Sequence, residues 1–281
     1  MIKQMIDNIK VSILLFINRL FPNKGTHPLD LELKGKGSYP DWEYILAEKT
    51  LKYFPKSFDF KSILKEKTVL DDCCGAGGKA VFLSDLGAKK VVGIDIGSSF
   101  IDQAKSYAKK MNNENCEFLV GDAHSLPFEN DSFDLIFTFD SFEHVSNPEL
   151  MLKEAYRVLK PGGKLFMSFT VWRQKDGHHL TDAIRIPWAH LFFSEETLMK
   201  AYKTLVTPNR YIFRAGTIDS FKIKYVNHMS TKWSKKLIAE SDFVVENLTY
   251  IPYPHILKFL FKLGFKETLT RVAIAVLEAK K

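Results

Sequence analysis

Apolar residues in the first 21 positions fall at Ile2, Met5, Ile6, Ile9, Ile13, Phe16, Ile17 and Leu20, the three-and-four spacing of one α-helix face. Residues 22–40 are rich in Pro, Asn, Gly, Lys and Ser and predict a linker. A helix is predicted next, with Asp41 as its cap and Trp42, Ile45, Leu46, Lys49 and Tyr53 at helical spacing up to Pro55. From residue 65 the pattern alternates. Apolar runs predict strands at 68–72, 90–94, 116–120, 133–139 and 164–169, with amphipathic helices at 79–86, 99–111 and 148–159 between them. The last helix has Asn147 as N-cap and Pro148 in its first turn, and Pro161, Gly162 and Gly163 follow it. Such alternation predicts a parallel sheet covered by helices on both faces. Beyond residue 170 comes a long His-, Trp- and Arg-rich stretch to 214 that includes a helix at 195–205. Then follow a helix at 231–240, a strand at 243–250, an apolar helical piece at 256–263 and a strand at 271–277. The two late strands extend the sheet at one edge, and the long stretch sits above it. No internal repeat or low-complexity tract is present.

Composition adds limits rather than identity. With 281 residues, 46% hydrophobic and 26% charged, the chain can bury a substantial core without metal or disulfide staples. Cys73 and Cys74 are neighbours and Cys116 is left over, so no disulfide framework is expected and a reducing cytoplasm fits best. Forty Lys and Arg against 33 Asp and Glu give +7, without a run of five like charges. A nucleic-acid partner is therefore not implied, whereas anionic small molecules or lipids are favoured by long-range attraction.

Lys3, Asp7, Lys10 and Arg19 interrupt the first helix, so it lacks the run of ~18 apolar residues that crosses a bilayer. Asn18 and Arg19 after the apolar run 11–17 argue against a secretory signal. The helix either packs on its own domain as a cap, the preferred reading, or lies in a membrane interface with its lysines toward headgroups.

The segment Val69-Leu70-Asp71-Asp72-Cys73-Cys74-Gly75-Ala76-Gly77-Gly78 reads as a strand, a glycine loop and a helix start. Glycines let a backbone approach a ligand, and a helix N-terminus offers free N–H groups to an anion. Asp95 ends the next strand, where a carboxylate can accept hydrogen bonds from both ribose hydroxyls of a nucleoside. One strand later, Gly121-Asp122-Ala123 places a carboxylate where an exocyclic amine could meet it.

In this order the motifs resemble the class I S-adenosylmethionine-dependent methyltransferases. The resemblance rests on Val69 to Gly78, Gly93-Ile94-Asp95-Ile96, and Gly121-Asp122-Ala123 with Leu126-Pro127-Phe128. It continues through Phe133-Asp134-Leu135-Ile136 and Phe142-Glu143-His144-Val145 to Arg157-Val158-Leu159-Lys160-Pro161-Gly162-Gly163. It implies a Rossmann-like, doubly wound seven-stranded α/β sheet of order 3-2-1-4-5-7-6, with an N-terminal helical cap and an insertion after strand 5. It also implies S-adenosylmethionine as cofactor. Asp71, Gly75 and Gly77 would meet its methionine moiety, Asp95 and Ile96 its ribose edge, and Asp122 and Ala123 its adenine, with Asp140 after the fourth strand. Cys73 stands where the family usually has glycine, and binding is expected to survive this small side chain. A catalytic thiol is the lesser reading.

Methyl transfer to oxygen is helped by a general base of near-neutral pKa, and histidine is the default. His144, after the fourth strand, is one candidate; with Glu143 it could hold a divalent ion, although lining the pocket is the preferred role. The others, His178, His179 and His190, lie with Arg185 and Trp188 in the stretch after the fifth strand, which looks like an active-site roof. A metal site at the paired histidines is the weaker reading, and no metal is expected. Arg185, Arg210 and Arg214 are candidates to clamp a phosphate or carboxylate.

The expected organisation is a cap and linker (1–64), a cofactor-binding core (65–170), a substrate-binding insertion (171–230) and a completion of the sheet (231–281). The expected reaction is methyl transfer to a small or lipid-linked acceptor, with a sugar, glycan-type or anionic metabolite preferred and a quinone-like lipid ring as the alternative. A binding module that senses the nucleoside, or assembles on it without turnover, is the reading from another class. The expected location is cytoplasmic, with peripheral membrane contact through the first helix as an option; the oligomeric state is left open.

Overall fold

The computed structural model describes residues 2–21, 37–206, 226–253 and 262–281. Before the sheet come α1 (Ile2–Arg19), α2 (Tyr39–Leu51) and α3 (Phe60–Leu64). Next are β1 (Thr68–Asp72), α4 (Gly78–Asp85), β2 (Lys90–Asp95), α5 (Ser98–Lys110), β3 (Cys116–Val120) and β4 (Phe133–Phe139). They are followed by α6 (Pro148–Val158), β5 (Leu159–Phe169), α7 (Ala189–Phe192), α8 (Glu195–Leu205) and α9 (Thr231–Glu240). The chain ends with β6 (Val244–Pro252), α10 (Lys266–Leu269) and β7 (Thr270–Glu278). The apolar piece predicted at 256–263 falls almost wholly outside the described residues.

The seven strands form one sheet of order β3-β2-β1-β4-β5-β7-β6, as the resemblance implied. β1 to β5 pair in parallel, and β7 enters antiparallel between β5 and β6. Alternate residues feed opposite faces. Leu70, Ile136, Leu165 and Met167 pack with α6 and α9, whereas Val69, Leu135, Phe137 and Phe166 pack with α2 to α5. Phe137 and Phe166 stack with centroids 4.9 Å apart, and the Phe60 ring meets Phe166 edge-on. The direction of winding reverses between β1 and β4, so a crevice opens at the carboxyl ends of these two strands.

Several element boundaries differ from expectation, two of them with a visible cause. Ser38, rather than Asp41, is the N-cap of α2. Its hydroxyl accepts from the Asp41 N–H, while the Asp41 carboxylate accepts from the Ser38 N–H at 2.9 Å, a reciprocal capping box. The helix expected to run to 159 stops at Val158, because Leu159 already pairs with Phe133 and starts β5.

A third apolar cluster lies off the sheet. Leu14 of α1 packs with Leu180, Ile184, Ile186, Leu198 and Tyr202, so the first helix covers the roof rather than the sheet. Asn18 clamps it there, donating to the Ala183 carbonyl at 2.9 Å and accepting from the Arg185 N–H at 2.7 Å. No described helix is long and apolar enough to cross a membrane.

Candidate active site

β1 delivers the chain into the glycine loop at the crevice. Cys73 (φ +64), Gly75 (φ +56) and Gly77 (φ +83) all adopt left-handed backbone. A Cβ at Gly77 would lie 2.6 Å from the Cβ of Ala104, so this glycine lets α5 close on the loop. Cys73 occupies a conformation that glycine takes without strain and that is costlier for a branched side chain than for this small, unbranched one. Cys73→Gly is expected to leave cofactor binding unchanged, whereas Cys73→Val is expected to cost about 1–2 kcal/mol in chemical denaturation. Burial and neighbouring carboxylates push the thiols of Cys73 and Cys74 well above the ordinary cysteine range, so neither is a ready nucleophile.

Carboxylates crowd this edge. Asp71 and Asp72 are fully buried, and both oxygens of Asp71 and one of Asp72 lack hydrogen-bond partners among the described residues. Burial pushes each of these carboxyls up to about 7. Glu43, from α2, reaches over the loop and accepts from the N–H groups of Ala76 (3.3 Å) and Gly78 (3.1 Å), and burial raises it to about 7 as well. Lys79, the one buried lysine or arginine among the described residues, faces Glu43, Asp71 and Asp140, and its ammonium donates to the Phe139 carbonyl at 3.1 Å. Asp140 (φ +51) accepts from the Ser168 hydroxyl at 3.1 Å.

The next two strand ends supply their acids as expected. Asp95 accepts from the N–H groups of Gly75 (3.0 Å) and Gly97 (2.8 Å), which sets its side chain beside the loop. Asp122 is held by His124, whose Nδ1 lies 2.8 Å from its carboxylate while Nε2 accepts from the Asn147 N–H at 3.2 Å. Ile96 is 73% exposed and Ala123 is buried, so an apolar surface lies open next to Asp95. This donor set fits an adenosyl sulfonium: acids at the ends of β2 and β3 for ribose and adenine, and buried unpartnered carboxylate oxygens for its positive charge.

The structure joins two regions that the sequence left apart. His144, after β4, and His179, in the roof, meet with ring centroids 4.7 Å apart. His179 (φ +53) has its Nε2 3.2 Å from the Thr170 hydroxyl, which donates at 2.7 Å to Oε1 of Glu143. With Glu143 ionised, the Thr170 proton goes to its carboxylate, the Thr170 oxygen accepts from the His179 Nε2–H, and the basic lone pair of His179 is on Nδ1. Burial pushes Glu143 up to about 8, and its Oε2 has no hydrogen-bond partner among the described residues. Asn227 secures this loop by donating to the carbonyls of Phe142 (2.8 Å) and Val145 (2.9 Å). Glu143, His144 and His179 each offer an atom within 4.8 Å of the others, a donor set that can also take a divalent ion.

The remaining candidates are placed differently. His178 and His190 are buried, with the His190 ring centroid 4.6 Å from that of Trp172 and 5.6 Å from that of His178, and burial lowers His190 to about 4, which keeps it neutral. Trp188 donates from Nε1 to the Thr268 carbonyl at 3.3 Å. Arg185 is half-buried, and its Nε lacks a hydrogen-bond partner among the described residues. Arg210 and Arg214 lie outside the described residues.

Sequence reasoning missed Glu43, Lys79, Thr170, Asn227 and His124. Glu43 and Lys79 look like ordinary polar positions of amphipathic helices, and only the Gly121-Asp122-Ala123-His124 adjacency carried a local signal.

Comparison with known proteins agrees with this geometry. Residues 70–167 match the methyltransferase domain family. A demethylmenaquinone methyltransferase of Lactococcus lactis subsp. lactis is 39% identical over 100 residues, 35% of this chain and 40% of that protein. A sterol 24-C-methyltransferase of Pneumocystis carinii is 37% identical over 108 residues, 38% of this chain and 28% of that protein. The matched region thus spans two fifths or less of the length of these relatives. The crystal structure of a SAM-dependent methyltransferase from Aquifex aeolicus shares the fold over 88% of this chain and 96% of that chain, at 19% identity and a TM-score of 0.51. The match over residues 70–167 and the strand order agree with the resemblance to the class I S-adenosylmethionine-dependent methyltransferases.

Proposed function

We propose that this protein transfers a methyl group from S-adenosylmethionine to a hydroxyl, or to the ring carbon that a deprotonated hydroxyl activates, on a lipid-linked or quinone-like acceptor. The observation that carries this reading is the convergence of His144 and His179 above the β4 end, with His179 oriented through Thr170 by Glu143. When bound, the cofactor supplies an electrophilic methyl group beside a positive sulfur. The chain's own residues do the rest. Nδ1 of His179 takes the acceptor proton, and the nearby buried Glu143, in its ionised form above about pH 8, offsets the imidazolium that results. The roof excludes water from the crevice. The same deprotonation makes a phenolic or quinol ring nucleophilic at oxygen or carbon, so one base serves either outcome. Two similar proteins are named as methyltransferases of demethylmenaquinone and of a sterol at 24-C.

A sugar-type or anionic acceptor has one observation in its favour, the buried Nε of Arg185 without a hydrogen-bond partner among the described residues. Incubation with methyl-labelled donor and separated lipid and polar cell extracts distinguishes these readings. Label in the lipid phase is expected. Label in the polar phase supports the anionic acceptor, and no transfer to either phase despite donor binding supports the sensing module.

The crowded acids make donor binding pH-dependent. Asp71, Asp72 and Glu43 carry protons up to about pH 7, and a cationic ligand favours their ionised forms, so binding releases protons. Donor affinity is therefore expected to rise from pH 6 to pH 8, with a smaller rise for the demethylated product, which lacks the sulfonium charge. Calorimetry in buffers of different ionisation enthalpy measures both.

A further inference from the structure

We propose that α1 docks this protein on an anionic lipid bilayer, lying in the interface with its outer side in the acyl boundary. This deepens the lipid-acceptor reading and rests on it only for the purpose of docking, since the surface itself is read from α1. The inner side of α1 is occupied: Val11, Leu14, Ile17 and Phe21 pack on the roof, and Asn18 is hydrogen-bonded to it. The outer side is apolar as well. Met5, Ile6, Ile9, Ile13, Phe16 and Leu20 are between 44% and 68% exposed, and at about 100° per residue they fall within one arc of roughly 100°. A solvent-facing helix side normally carries charge, so six large apolar chains in one arc call for a partner.

Charge identifies that partner. Exposed Lys10 borders the apolar arc on one flank and exposed Arg19 on the other. Asp7, the only acid of the helix, is turned away toward α8, where it pairs with Lys200 at 3.9 Å. The outer face therefore combines an apolar centre with basic borders and no acid, which matches anionic headgroups above acyl chains. A second copy of the same helix would bring the same basic flanks and no acid to meet them. Because α1 is bonded directly to the roof over His179, docking sets the roof against the lipid from which an acceptor would enter.

The test uses the full chain and two vesicle preparations, phosphatidylcholine alone and phosphatidylcholine with an equal part of phosphatidylglycerol, without donor or acceptor. The wild type is expected to sediment with the anionic vesicles at least about tenfold better than with the neutral ones, and less so as salt rises. The Ile9→Asp/Ile13→Asp double variant, altered only at exposed positions, is expected to lose about a hundredfold in vesicle partition while keeping its melting temperature and donor-binding heat. The proposal is overturned if the wild type sediments with neither preparation, or if the double variant sediments as well as the wild type. It is equally overturned if the substitutions dissociate a dimer and leave vesicle binding unchanged. Because the readout needs no methyl transfer, it fails separately from the catalytic reading.

Discussion

His179→Ala is expected to lower turnover by about 10²–10⁴-fold, the usual range for a lost general base, while leaving donor affinity unchanged. The separation follows from position. The acids assigned to donor binding in this proposal stand at the ends of β1, β2 and β3, whereas His179 reaches the crevice from the roof and is held by Thr170 and, through it, Glu143. Thr170→Val should give a smaller loss, about tenfold, and change the pH profile of turnover, because the imidazole keeps its place but loses the partner that fixes its tautomer. His190→Ala serves as the contrast. This ring is buried against Trp172 and kept neutral, so its removal is expected to lower the melting temperature rather than the chemistry of the folded enzyme. Steady-state kinetics and donor calorimetry on the three variants check the pattern. A His179→Ala enzyme with wild-type turnover would remove the base from the mechanism.

Lys79→Met is expected to be the most damaging single change to stability, at about 3–5 kcal/mol near pH 8. Lys79 is the buried cation that faces Glu43, Asp71 and Asp140, and its ammonium also ties α4 to the end of β4 through the Phe139 carbonyl. Methionine fills similar volume but leaves the carboxyls uncompensated. They answer by holding protons more tightly, so the sign of the pH dependence is fixed. The folded-state carboxyls already sit above their unfolded values, and folded protein binds more protons than unfolded protein between about pH 4 and 7. Stability therefore falls as pH rises through that window, and the variant extends the fall to higher pH. The loss should be smaller at pH 6 than at pH 8 in urea denaturation. A loss below about 1 kcal/mol at both pH values would mean that Lys79 does not compensate these acids.

Much of the fold was legible because each strand is a short apolar run between a helix and a turn, and because the run of residues 65–170 alternates without interruption. Strands 68–72, 116–120 and 133–139 match the observed β1, β3 and β4. The α2 cap was misplaced because Ser38 and Asp41 form one reciprocal box, and the residue types alone do not say which of the two sits outside the helix. The strand-end acids were legible because Asp71 and Asp95 lie within the last two residues of their strands and Asp122 stands two residues past its own. Glu43 was not: its partners lie 33 and 35 residues away across the α2–α4 contact, a relation with no local pattern. The same holds for His144 and His179, which were separate candidates until the chain turned back over β5. Lys79 looked like a surface lysine, and only the placement of α4 beside the switch point buries it.

Methyl transfer as proposed requires the acid-lined crevice between β1 and β4 to grip an adenosyl sulfur compound. Calorimetric titration of S-adenosylmethionine and its demethylated product into folded wild type and Asp95→Ala tests that most directly. Saturable binding in the micromolar range is expected for the wild type, with at least about a tenfold loss in Asp95→Ala at unchanged melting temperature. Folded wild-type protein that takes up neither compound at millimolar concentration would contradict it.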